Sequence, residues 1–139
     1  MPILTVLLGT APDADLARSV ADDLLGLTAE HLGKRADLTS IAVQFVDPAH
    51  WFIGGPAAAT IGRATAFVEI RITDETNTKA QKARWIAAVH AALAQRLGPL
   101  HDTSYVQVQD VRAAAWGYGG RTQEARGYMS GVSMSPHSG

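Results

Sequence analysis

Cysteine is absent from all 139 residues, which excludes a disulfide scaffold, a thiolate nucleophile and a cysteine-ligated metal together. Neither sign of charge dominates: 12 Lys and Arg stand against 13 Asp and Glu, for a formal net charge of −1. A chain so balanced has no broad positive field for nucleic acid or an anionic membrane, and any basic residue that binds an anion does so as a local site. No apolar run approaches the length of a membrane span. The opening MPILTVLLGTAPDAD has neither a basic leader nor a small-residue cleavage pattern, so cytoplasmic residence is the expectation. No His, Asp or Glu cluster has metal-ligand spacing. The Gly-Gly turns precede no phosphate-loop lysine and open no dinucleotide-binding crossover, so neither metal nor cofactor is expected. What the chain does have is 47% hydrophobic residues, enough for one domain of this length to bury a core.

The sequence repeats itself at a shift of 65 residues. His50-Trp51-Phe52-Ile53-Gly54-Gly55 lies over Ala115-Trp116-Gly117-Tyr118-Gly119-Gly120, and Leu32-Gly33 over Leu97-Gly98. Between those marks Ile41, Val43 and Val46 correspond to Val106, Val108 and Val111. Two copies at this period are too few and too long for a solenoid; they are two copies of one supersecondary unit.

Each copy has the same local order. Residues 3–8 are apolar and partly β-branched, and residues 66–73 alternate Phe67, Glu69, Arg71 against Val68, Ile70, Ile72, which is strand periodicity. Leu16, Val20, Leu24 and Leu27 follow at helical spacing, with Asp13 placed to cap that helix and Gly33 to stop it. In the second copy Ile86, Val89, Leu93 and Leu97 mark a helix after Thr76-Asn77-Thr78, ended by Gly98-Pro99. A second strand closes each unit, at about 40–46 and 104–111. Strand, helix, strand implies a right-handed parallel crossover. The expected fold is therefore α/β (an α+β sandwich): tandem β-α-β units, 2–55 and 66–120, forming a four-stranded mixed sheet with two helices on one face. These make one domain over 1–122, with 56–64 as linker and 123–139 as a C-terminal tail that is small and polar enough after Met129 to be mobile. The uncovered sheet face points to self-association.

Met-Pro followed directly by a strand, a β-α-β unit, and a closing His-aromatic-x-Ile-Gly-Gly at His50 to Gly55 resemble 4-oxalocrotonate tautomerase. With the duplication, the chain to about Arg121 resembles the fused members of the tautomerase superfamily, the cis-3-chloroacrylic acid dehalogenase and malonate semialdehyde decarboxylase groups. The resemblance implies a tautomerase (MIF-like) fold, a homotrimer, a small oxo-acid substrate, no cofactor, and catalysis by the secondary amine of Pro2 once Met1 is removed. Position is what matters: an internal proline has no ionisable nitrogen, whereas an N-terminal one has a basic amine that burial shifts toward neutrality.

A proton shuttle on an oxo acid also needs a cation for the carboxylate and a donor for the developing enolate oxygen. Arg71 on the third strand and Arg121 and Arg126 after the second Gly-Gly are the candidate cations. A surface ion pair of Arg71 with Glu69 is the plainer alternative. Trp116, with Trp51 and Ile3, is placed to dry the site, and His31 resembles the first-helix histidine of the cis-dehalogenase group, although it also suits a helix C-terminus. Tyr105, Gln107 and Tyr118 are candidate donors, the aromatic ones set against packing. The basic residues that relatives carry just after the third strand would fall near Thr73 and Thr76, and the first-loop arginine near Ala11 or Pro12, so carboxylate binding is built differently here. The stretch Trp116 to Arg121 holds no carboxylate, which argues against hydrolytic dehalogenation. The leading expectation is a cofactor-independent tautomerase, with decarboxylation of a small β-oxo acid by protonated Pro2, or a non-catalytic homologue, as alternatives.

Overall fold

The two units fold as their periodicities require. In the computed structural model, which describes residues 1–129, β1 (Ile3–Leu8) is followed by α1 (Ala14–Leu32) and β2 (Ser40–Phe45). A short helix α2 (Ala58–Ile61) precedes β3 (Ala66–Thr73), α3 (Lys79–Leu97) and β4 (Tyr105–Val111). The described residues end in a two-stranded hairpin, β5 (Gly117–Tyr118) and β6 (Arg121–Thr122), and α4 (Gln123–Met129). Asp13 accepts from the backbone N–H groups of Asp15 and Leu16, and Gly33 ends α1 at φ 67°, a left-handed conformation that costs glycine nothing. Thr78 and Gln81 form a reciprocal capping box at the start of α3.

The sheet runs β2-β1-β3-β4. Within each unit the strands are parallel, while β1 and β3 pair antiparallel, Ile3 opposite Arg71 and Leu8 opposite Ala66. The register puts Leu4, Val6, Leu8, Val68, Ile70 and Ile72 on one face, all wholly buried under α1 and α3. Ile3, Thr5, Phe67, Glu69, Arg71, Tyr105 and Gln107 share the opposite face, which no helix covers. Among the described residues no helix is long and apolar enough to cross a membrane.

Three details differ from the sequence-based expectation. On α3 the core stripe is Trp85, Val89 and Leu93, and Ile86 is exposed, because the bulkier indole takes the inward position one residue earlier. The linker 56–64 holds α2, tied back by the Ala58 N–H to the Trp51 carbonyl. The tail expected from residue 123 begins instead as α4, whose first residue, Gln123, is buried and donates its N–H to the Trp116 carbonyl. The part of that tail after Met129 lies outside the described residues.

Trp85 joins the two units: fully buried, it donates from Nε1 to the Thr28 hydroxyl of α1 at 3.2 Å. Replacing it with phenylalanine removes volume and leaves a buried hydroxyl without its donor, so Trp85→Phe is expected to cost about 1–3 kcal/mol. Urea denaturation of the two proteins measures it.

Candidate functional site

Because β1 and β3 are antiparallel, the start of the first unit lies beside the end of the second. The Pro2 carbonyl accepts from the Ser40 N–H, which fixes the chain entering β1 against the start of β2. Pro2 is buried, and Met1 is only 4% exposed. Trp116, which follows β4, donates its indole Nε1–H to the Met1 carbonyl at 3.0 Å. Pro2 and Trp116, 114 positions apart in the numbering, thus meet at one end of the sheet.

Two cations stand at the same end. Lys34 directly follows the glycine that ends α1 and is 4% exposed. Its ammonium donates to the Thr76 hydroxyl at 2.9 Å, and Thr76 in turn donates to the Thr73 carbonyl. The nearby carboxylate of Asp110 raises the Lys34 pKa, but Asp110 is itself paired with Lys82 at 2.6 Å, and its Oδ1 is buried with no hydrogen-bond partner. Burial outweighs that attraction and brings Lys34 down to about 8. Arg126, on α4, lies with its guanidinium 4.5 Å from the centre of the Tyr118 ring, a cation–π distance. The amino terminus of Met1 feels all of this. Burial first, then the positive charges of Lys34 and Arg126, push its pKa to about 5, so it is a neutral base at physiological pH.

Of the other sequence candidates, two lie on the uncovered sheet face. Arg71 is on the uncovered sheet face, ion-paired with Glu69 at 2.7 Å. Tyr105, 63% exposed, stands on that same face at the opposite end, beside Phe67. Arg121 is exposed on β6, opposite Tyr118 in the hairpin. His31 sits in the last turn of α1, three residues before Lys34, with Glu30 at 4.0 Å. Ile3 is on the uncovered face. Trp51 packs at the far end of β1, where a Cβ on Gly9 would come within 3.2 Å of its ring and 2.9 Å of the Thr65 side chain.

Lys34 was not singled out from the sequence, yet the repeat carries a signal for it. At the shift of 65 residues Lys34 corresponds to Pro99, so one unit has a lysine where the other has no charge. The β-strand register likewise sets Met1 and Pro2 over Thr65 and Ala66, which lie inside the chain and offer no amine. The duplication therefore builds one cationic, amine-bearing end, not two. A separate hollow of about 550 Å³ between α1 and α3, lined by Asp22, Asp23, Glu30 and Arg96 among others, is open and holds none of these groups. Among the described residues no three His, Asp or Glu side chains are grouped to hold a metal.

Lys34 has a stability consequence with a definite sign. Its folded pKa, about 8, lies below its ordinary 10.5, so folding disfavours the charged form. The protein is expected to gain stability as pH rises from about 8 toward 10.5, and Lys34→Met is expected to lose that gain and to be the more stable protein at pH 7. Urea midpoints of the two proteins across that range provide the check.

Residues 67–126, nearly the whole second unit, match the family model for tautomerase enzyme. No curated protein matches the sequence significantly. Among solved structures the chain is similar to native fused 4-OT, at 23% identity and a TM-score of 0.80 over 90% of this chain and 98% of that one. It is also similar to a fused 4-OT described as a wild-type symmetric trimer, at 20% identity and a TM-score of 0.78 over the same shares. Pt0534 inactivated by 2-oxo-3-pentynoate matches at 15% identity and a TM-score of 0.79, again over 90% and 98%. The second unit thus matches the tautomerase family model, and the chain as a whole has the fold of the fused 4-OT structures.

Proposed function

We propose that this protein is a cofactor-independent tautomerase of small oxo acids, with the amine of Pro2, exposed by removal of Met1, as the general base. The observation that carries the reading is the burial of Pro2 beside Trp116, at an end of the sheet where burial, Lys34 and Arg126 lower the pKa of the Met1 amine attached to it. A proline amine freed one residue later is placed among the same groups. Space vacated by Met1 admits water, so its shift is smaller, but burial and like charge still act in the same direction. The neutral amine takes a proton from the carbon next to a carbonyl; the electron pair moves to the carbonyl oxygen as an enolate, and the protonated amine returns the proton to that oxygen to give the enol, ketonisation of an enol being the same steps in reverse. Lys34 and Arg126 supply the positive charge that holds the substrate carboxylate. The inactivation of the similar Pt0534 by a 2-oxo acid supports this substrate class. The same low pKa counts against the decarboxylase alternative, which needs Pro2 protonated, and Lys34 answers the missing arginines that favoured a non-catalytic homologue.

With Met1 in place, Pro2 is an amide without a basic nitrogen, and the Met1 residue itself fills the space in front of it. A chain beginning at Pro2 is expected to turn over phenylenolpyruvate, followed by ultraviolet absorbance, and the chain retaining Met1 to be slower by about 100-fold or more, the scale of lost general-base catalysis. The pH profile of kcat/KM should be bell-shaped. It rises through the Pro2 amine below the ~7.7–8.0 of a free α-amine, and falls near 8 as Lys34 loses the charge that binds the carboxylate. Equal rates with and without Met1 would exclude Pro2 as the base.

Assembly as a trimer belongs to the same proposal. The uncovered face of the sheet leaves Ile3 at 37% and Tyr105 at 63% exposure, and the fused 4-OT relative is a symmetric trimer. Light scattering is expected to give about three times the 14.7 kDa chain mass; a monomer at micromolar concentration would contradict it.

A further inference from the structure

We infer that the indole N–H of Trp116 is the hydrogen-bond donor for the substrate's carbonyl oxygen, and thus selects 2-oxo acids and their enols over acids without that oxygen. This rests on the tautomerase reading and adds a catalytic residue to it. The Met1 carbonyl stands in for the substrate: it is the oxygen of the acyl group carried by the Pro2 nitrogen, and Trp116 Nε1 donates to it at 3.0 Å. Removing Met1 takes away that acceptor and leaves a partly buried donor aimed at the space in front of the Pro2 nitrogen. A buried donor without an acceptor is costly, so an oxygen that enters there is favoured, and one that gains negative charge is favoured more. Phenylalanine would supply the same apolar wall with no donor.

The surrounding charges fix what else the ligand must carry. An oxygen at the indole lies beside the amine that takes the proton, and the positive charge of Lys34 and Arg126 acts on the Met1 amino group one residue away. A carbonyl next to a carboxylate satisfies both: its oxygen accepts from Trp116 while the carboxylate faces the cations. On deprotonation of the adjacent carbon the electron pair settles on that carbonyl oxygen, where the indole stabilises it, and no further reactant is needed. The other unit provides an internal comparison. Trp51, at the equivalent position, lies close to Gly9 at the far end of β1, where the chain is continuous and offers no amine.

The test uses chains beginning at Pro2, comparing wild type with Trp116→Phe, and Trp51→Phe as a control for tryptophan loss. For Trp116→Phe, kcat with phenylenolpyruvate should fall about 10- to 100-fold with KM changed less, the range for losing one donor to a developing oxyanion. The ascending pKa should stay in place, and carbamylation of Pro2 by cyanate should keep its rate, which shows a folded site with an intact amine. Oxalate, a planar mimic of the enolate of a 2-oxo acid, should bind at least tenfold more weakly to Trp116→Phe, while acetate binds as before. Trp51→Phe should behave as wild type in these assays. If wild type is active and Trp116→Phe keeps its kcat and its oxalate affinity within twofold, the indole is only a wall and the inference is overturned. If wild type is inactive and cyanate leaves Pro2 unmodified, the base assignment fails, and oxalate binding still decides for or against the donor.

Discussion

The antiparallel ladder of β1 and β3 determines which ends of the two units meet. Parallel pairing within each unit sends both of its strands the same way, so the start of a unit and its own closing segment lie at opposite ends of the sheet. Turning one unit against the other brings the start of β1 to the hairpin after β4, and the start of β3 to the segment after β2. Met1 and Pro2 therefore meet Trp116 and α4, while Trp51 meets Thr65. The first junction contains a chain terminus and the second does not, which is how a duplicated sequence yields a single amine.

At that junction the balance of charge is unusual for so neutral a chain. Lys34, Arg126 and the amino terminus are drawn together where water is largely excluded, and Asp110, the nearby carboxylate, is already engaged by Lys82. Like charges in a desolvated place relieve themselves by losing a proton, and the amine has the lowest ordinary pKa of the three. Its neutrality thus follows from the burial and the positive charge gathered at this end of the sheet. Lys34 illustrates the cost. A buried ammonium whose hydrogen-bond acceptor is a threonine hydroxyl is poor for stability, and makes sense where an anionic ligand completes its environment.

Much of this was legible in the residues before the fold was known. The alternation in 66–73, the caps at Asp13 and Gly33, and the 65-residue shift contain the sheet, the helices and their order, because each is a local signal or a repeat of one. Trp116 and Pro2 were named for the site from the motif, and the structure brings them together. Arg71 and Tyr105 fall on strands whose alternation assigns a face but not which face holds the site; their register puts them on the uncovered side. Lys34 was missed since a lysine after a helix-stopping glycine looks like a solvated terminus, and only tertiary packing against Thr76 and Asp110 buries it. The inward position of Trp85 in place of Ile86 depends similarly on what α1 offers opposite, the hydroxyl of Thr28.

The central claim is that the Pro2 nitrogen is a neutral amine held below its ordinary pKa by burial and neighbouring positive charge. Nitrogen-15 NMR of protein labelled at proline, with Met1 removed, titrates that atom directly. The account predicts a single amine resonance whose pKa lies between the roughly 5 found at the Met1 terminus and about 7, moving up when Lys34 is replaced by methionine. A value at or above the ~7.7–8.0 of a free α-amine, unmoved by that replacement, would contradict it.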